Sequence, residues 1–264
     1  MSNGLQTFLM YLIAILMLLF TVSIHEMGHF FVGVFFKVNV KEVSIGIGPK
    51  LVSKTTKSGL KVSLKLIPLV AYVLFDSKQL RSLYADELED KNYSWYMAPV
   101  PQGKKLLEET KTWQYILIMI AGVSVNFLSF LILWPCCWAT FKANNFEMMN
   151  PFVSLGLSIK AIACCMVFKG GSGSNIFVDI PELAGNNNWG LIFFQLLILM
   201  NLITAVFNII PFPPLDGWKV VERIYTQKTK KQISEKVETI LSLIGMFLMV
   251  YIFVSSILVK WLNW

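Results

Sequence analysis

The sequence predicts a membrane α-helical bundle of about four transmembrane helices, with a membrane-associated β-hairpin between the first and the second. Three observations lead there. Of the 264 residues 55% are hydrophobic and only 15% charged, and the mean hydropathy of +0.61 lies well above that of soluble domains. Four apolar stretches reach the length of about 20 residues that a helix needs to cross a bilayer. Between the first two, the apolar period changes from helical to strand-like.

Leu5 to Phe36 is apolar except for Gln6 and Thr7 at its start, Thr21, Ser23, the HEMGH pentapeptide and Gly33, long enough to span with tilt. A cleaved signal peptide would carry a basic start. Met1 to Thr21 has no charge, so the stretch reads as a retained first span. Val43, Ile45 and Ile47, then Val62, Leu64 and Leu66, alternate with small or polar residues on either side of Thr55-Thr56-Lys57-Ser58-Gly59. That is the pattern of a β-hairpin, placed within residues 38–75 and dipping against the membrane. Residues 76–112 read as a polar cytoplasmic segment.

The remaining spans fall at 114–141, 191–209 and 240–262, with Trp113, Trp189, Trp261 and Trp264 near their ends as interfacial anchors. Phe152 to Phe168 is apolar but carries Lys160, and reads as interfacial or packed on the bundle. The whole chain, 1–264, is read as a single integral-membrane domain. No repeat at a solenoid period is visible.

The net charge of +7 raises the question of a nucleic-acid partner. Most of the cations sit instead in two loops, 37–111 and 219–236, against only Lys142, Lys160 and Lys169 between the second and third spans, without the basic, aromatic-interleaved face of a nucleic-acid binder. By the positive-inside rule both loops are cytoplasmic. A plasma-membrane, multi-pass protein with both termini outside follows. The cysteines, Cys136-Cys137 and Cys164-Cys165, lack metal-site spacing and read as small apolar fillers, with no disulfide required.

His25, Glu26 and His29 form HExxH. A step of four residues turns a helix by about 400°, so both imidazoles lie on one face, one turn apart, and can share a zinc. Glu26 can then take a proton from the attacking water and pass it to the leaving amine. These are the chain's only two histidines, and they sit in an apolar span where ionisable groups are expensive. A third ligand is needed. Asp216 in NIIPFPPLDG is the one membrane-flanked acid outside the first span, placed on irregular backbone after Pro211, Pro213 and Pro214. It also reads as the N-cap of a helix over Trp218 to Tyr225. The charge rule puts His25 and His29 towards the cytoplasmic side, and Asp216 with them only if Phe152 to Phe168 does not cross.

HEMGH in a first span with NIIPFPPLDG after a later one resembles the site-2 protease family of intramembrane zinc metalloproteases. VSIGIGPKLVS and LKLIPLVAYV are similar to that family's membrane-associated β-region, and AGVSVNF at Ala121 to Phe127 to its AGPxxNF element. The resemblance implies one Zn2+ per chain held by His25, His29 and Asp216, with Glu26 as catalytic base. It implies substrate contacts from Asn126 and Asn208, although a buried amide also serves to join neighbouring helices. Asn201 reads as such a joint. The implied partners are single-span membrane proteins in the lipid bilayer. The chain departs from the family in LVAYV, where many bacterial members have GGYV, and in Val123, where AGPxxN has proline. The larger bacterial members carry a PDZ domain after the second span, for which 142–190 leaves no room. The rival reading is a transporter or channel using His, Glu and Asp as an ion relay, against which four spans and the lack of inverted halves count.

Overall fold

The computed structural model describes residues 3–83, 96–143, 150–153, 155–156, 159, 189–231 and 233–261. Two compact units divide the chain, one of residues 18–126 and 219–231, the other of residues 1–17, 127–218 and 232–264.

Helix α1 (Asn3–Phe35) occupies the first predicted span. It ends where Lys37 takes a left-handed φ of 62°. The N–H of Lys37 returns to the Val34 carbonyl at 2.9 Å and that of Val38 to Gly33 at 2.9 Å, the bond pair that closes a helix in a Schellman turn. Gly33 also makes room for the Phe75 ring, which a Cβ there would overlap.

The alternating segment forms β1 (Val40–Thr55) and β2 (Lys61–Phe75), paired antiparallel through a turn in which Gly59 has φ 83°. The predicted hairpin is present but doubled back on itself. Ile45 pairs with both Ala71 and Leu64, and Glu42 with both Leu74 and Lys61, so residues 42–45 have a neighbour on each side. The bend lies at Gly46 and Gly48, with φ 89° and 88°; a Cβ on Gly46 would stand 2.8 Å from the Lys65 carbonyl oxygen. Side-chain alternation reports which residues share a face, not that a strand folds over, so a simple hairpin was the natural expectation.

Glu42, buried in the middle of the sheet, accepts from Ser63 Oγ at 2.6 Å and from the Tyr72 hydroxyl at 3.0 Å, with the Lys65 ammonium 3.7 Å away. Lys65 also donates to Tyr72. A carboxylate so placed is held only because its oxygens are paired.

Asp76 closes the sheet. Its carboxylate takes Asn39 Nδ2 at 2.8 Å, Arg81 Nε and Nη2 at 2.8 and 2.9 Å, and stands 3.4 Å from Lys41. Its own N–H and carbonyl bond Asn39 and Leu107. One residue thus joins the start of β1, the end of β2, α2 (Lys78–Leu83) and the approach to α3 (Thr112–Ala143). Burial pushes the Asp76 carboxyl up, but the hydrogen bonds from Arg81 and Asn39 and the charges of Lys41 and Arg81 outweigh it and hold it below its ordinary value. Apolar packing completes this unit: Val38, Val40, Phe75, Ile118 and Met119 form a buried cluster on which Phe30 and Val220 pack.

In the other unit Phe130 and Cys137 of α3 pack against Ile198 and Leu202 of α4 (Trp189–Ile209). Helix α5 (Asp216–Thr229) follows an irregular stretch, 210–215, and α6 (Glu235–Trp261) occupies the fourth predicted span. Gly217 lies against the end of α4, where a Cβ would stand 2.6 Å from the Ile210 carbonyl oxygen. Among the described residues two helices are long and apolar enough to cross a membrane, Leu12–Phe35 and Thr112–Thr140, and Phe193–Ile209 is a shorter apolar helix. Most of 152–168, together with Cys164, Cys165, Trp264 and residues 84–95 of the polar segment, lies outside the described residues.

Replacing Asp76 by Ala takes their carboxylate from Lys41 and Arg81 and leaves both on the Ala98 carbonyl, and unfolding in detergent should show a loss of about 3–5 kcal/mol, the cost of removing one partner from a buried pair. Because the folded-state carboxyl titrates below its ordinary value near ~3.9, its contribution is complete above that pH and is lost as pH falls through the depressed folded value. A pH series of unfolding midpoints should therefore show an acid limb that is weaker in Asp76→Ala.

Candidate metal centre

HEMGH lies well inside α1, with no break in the helix, so His25 and His29 stand on one face as the four-residue step requires. They are 4% and 5% exposed. Their Nε2 atoms approach to 3.1 Å. A tetrahedral ion with metal–nitrogen bonds of about 2.0–2.1 Å holds two such nitrogens roughly 3.3 Å apart, so the pair is spaced for a shared metal.

The facing element is α3. Ile118, Gly122 and Asn126 follow one another at steps of four along it and so form one stripe. The Ile118 carbonyl oxygen lies 2.7 Å from His29 Nδ1. A carbonyl only accepts, so Nδ1 carries the proton and Nε2 keeps its lone pair for a metal. Gly122 leaves the space that the imidazoles fill: a Cβ there would stand 2.5 Å from His29 Nε2 and 2.7 Å from His25 Nε2. Gly28, inside the pentapeptide, brings the two backbones together, since its Cβ would lie 2.7 Å from the Ala121 carbonyl oxygen.

Glu26 points towards the sheet. Its Oε2 accepts the backbone N–H of Val73 at 2.9 Å, which fixes the carboxylate beside the 71–75 arm of β2. Asn126 is fully buried with its amide against His25: Nδ2 is 3.3 Å from His25 Nδ1, and Oδ1 has no partner.

This structure joins His25, Glu26, His29 and Asn126 in one unit. Asp216 and Asn208 belong to the other. Asp216 is buried and opens α5, so the irregular backbone expected around it ends one residue earlier, at Leu215. The helix predicted over Trp218 to Tyr225 thus begins two residues earlier, with Asp216 in its first turn. Asn208 returns its Nδ2 to the Thr204 carbonyl at 3.0 Å, and Asn201 its Nδ2 to Leu197 at 2.8 Å, bonds within their own helix.

Motif reading passed over Gly28 and Gly122, although both glycines stand inside the recognised motifs. A glycine in a helix costs roughly 1 kcal/mol against alanine, which is the signal that a close approach is being made.

The pattern of peptidase family M50 matches residues 13–252. The chain belongs to this family. Among curated relatives, a candidate zinc metalloprotease of Fusobacterium nucleatum is 31% identical over 123 residues, 47% of this chain and 30% of the relative. One of Agrobacterium fabrum is 30% identical over 120 residues, 46% of this chain and 30% of the relative. One of Rickettsia conorii is 34% identical over 113 residues, 43% of this chain and 28% of the relative. The aligned part thus spans less than a third of these relatives' length. Membership accords with the apolar helices α1 and α3 and with HEMGH, whose histidines meet in the geometry above.

Gly122→Ala places a methyl group where the two Nε2 atoms meet and should abolish stoichiometric metal binding, measured as metal per purified chain. Gly156→Ala, where nothing lies within 4 Å of the added carbon, should leave the stoichiometry unchanged.

Proposed function

We propose that this M50 chain is an intramembrane zinc endopeptidase that hydrolyses peptide bonds in or near the transmembrane segments of single-span client proteins. The observation that carries the reading is the convergence of His25 Nε2 and His29 Nε2 at 3.1 Å, with Glu26 the next residue along the helix from His25. The zinc named for the relatives is the metal that such imidazole donors suit.

His25 and His29 hold the zinc through Nε2, and Asp216 is the third ligand. Support for Asp216 comes from its helix. From Lys219 onward α5 belongs to the unit of the histidines, where Val220 packs on the cluster containing Ile118. Arg223 Nη2 donates to the Glu108 and Thr110 carbonyls at 3.1 and 2.7 Å just before α3. Asp216 lies four residues before Val220, one turn back on the same face.

When bound, zinc supplies Lewis acidity towards the scissile carbonyl and towards water. Glu26, held at Oε2 by Val73, takes the water's proton at Oε1 and delivers it to the departing nitrogen. Helical substrate buries its carbonyls in the hydrogen-bond ladder, so the client must unwind locally. An unwound client then adds as a strand at the edge of the sheet. The 71–75 arm suits this role, since it lies beside the Glu26 carboxylate. Asn208 is retained as a substrate contact.

The chain lies in the plasma membrane with spans at about 5–36, 114–141, 191–209 and 240–262, both termini outside and the site towards the cytoplasm. Its clients are cleaved in regulated intramembrane proteolysis or in the clearance of remnant signal peptides.

Glu26→Gln keeps the shape and removes the base. Incubated with single-span clients in detergent, it should bind zinc as the parent does and cut about 10²–10⁴-fold more slowly, the usual worth of a positioned base; unchanged cleavage would refute the mechanism. Asp216→Asn should lower zinc per chain, and full occupancy in that variant would leave Asp216 as a helix cap alone.

A further inference from the structure

Asn126 stands in the middle of a largely apolar helix, fully buried, with its amide against a histidine and its oxygen stranded. A buried amide oxygen without a donor is costly, so the arrangement calls for a reason. The two ends of a carboxamide have nearly the same shape, and the hydrogen-bond network decides which end faces which group.

The network around His25 depends on its metal. With Nε2 committed to zinc, the neutral ring carries its proton on Nδ1. An Nδ1–H facing the Asn126 Nδ2 group at 3.3 Å sets two donors against each other. Turning the amide over replaces that clash with an Nδ1–H to Oδ1 hydrogen bond, and the stranded oxygen gains its donor. His29 has the equivalent bond already, from Nδ1 to the Ile118 carbonyl.

We propose that Asn126 is a positioning residue for the metal. Its Oδ1 accepts the Nδ1–H of His25, which fixes the tautomer and turns Nε2 towards the ion. The α3 stripe then has one task per turn: Ile118 orients His29, Gly122 clears the space, and Asn126 orients His25. A substrate clamp at this position would need an amide that a client could reach, whereas this one is closed in against the ligand. The inference rests on the zinc reading above and assigns Asn126 a different role from substrate contact.

The test is zinc affinity, measured on the purified full chain by competition with a chromophoric chelator, with the visible spectrum of the cobalt(II)-loaded protein as a second readout. Asn126→Leu fills the site without an acceptor, Asn126→Ala empties it, and Asn126→Asp keeps an acceptor oxygen. Leu and Ala should weaken zinc binding by about 10–100-fold, the usual cost of losing an outer partner of a ligating histidine. They should also shift the cobalt spectrum, while Asp restores affinity and spectrum. Parental zinc affinity in Leu and Ala overturns the proposal. So does an equal loss in all three variants, since packing rather than an acceptor would then be at work. A parent that binds no zinc overturns the metal reading itself and is distinguishable from either result.

Discussion

The close approach of α1 to α3 is the constraint on which the site depends. Helices in lipid gain little from hiding apolar side chains from one another, so they associate where small residues let their backbones meet. Gly28 does this for α1, its missing Cβ leaving space at the Ala121 carbonyl. Gly122 does it for α3 and spends the space differently, on the two imidazoles. At that separation a backbone carbonyl of α3 comes within reach of His29 and a side chain of α3 within reach of His25. A larger residue at either glycine would push the facing helix away and separate the histidines from the groups that orient them.

The sheet gives the same site its second wall. Its polar interior, Glu42 with Ser63, Tyr72 and Lys65, holds the bent strands in register, and Tyr72 precedes the residue whose N–H holds Glu26. The Asp76 cluster ties the ends of those strands to the entry of α3. Charged groups this deeply buried contribute little net stability even when paired, yet each is costly to leave alone. Their effect is to make one arrangement of strands far better satisfied than its alternatives.

Much of this was legible beforehand. HEMGH, the apolar runs and the alternation across 38–75 are local patterns, and α1, α3, α4, α6 and the two strands appear where those patterns lie. Asp216 stands out by its proline-rich context, and it opens α5 as a buried residue. The doubling of the sheet was not legible, because left-handed glycines mark a bend without saying what the bent strand will pair with. Nor was the partner of Glu26, a backbone N–H 47 residues away with no signature in side-chain identity.

The sequence by itself determined the chemistry: two imidazoles one turn apart, an acid beside the first, and helices apolar enough for a bilayer. These depend on residue type and on the fixed period of the helix, both readable along the chain. Which nitrogen of each imidazole faces the metal was left to the tertiary structure. That choice is made by what the other nitrogen meets, a carbonyl at Ile118 and an amide at Asn126, and these come into reach only when two helices pack through glycines far apart in the chain.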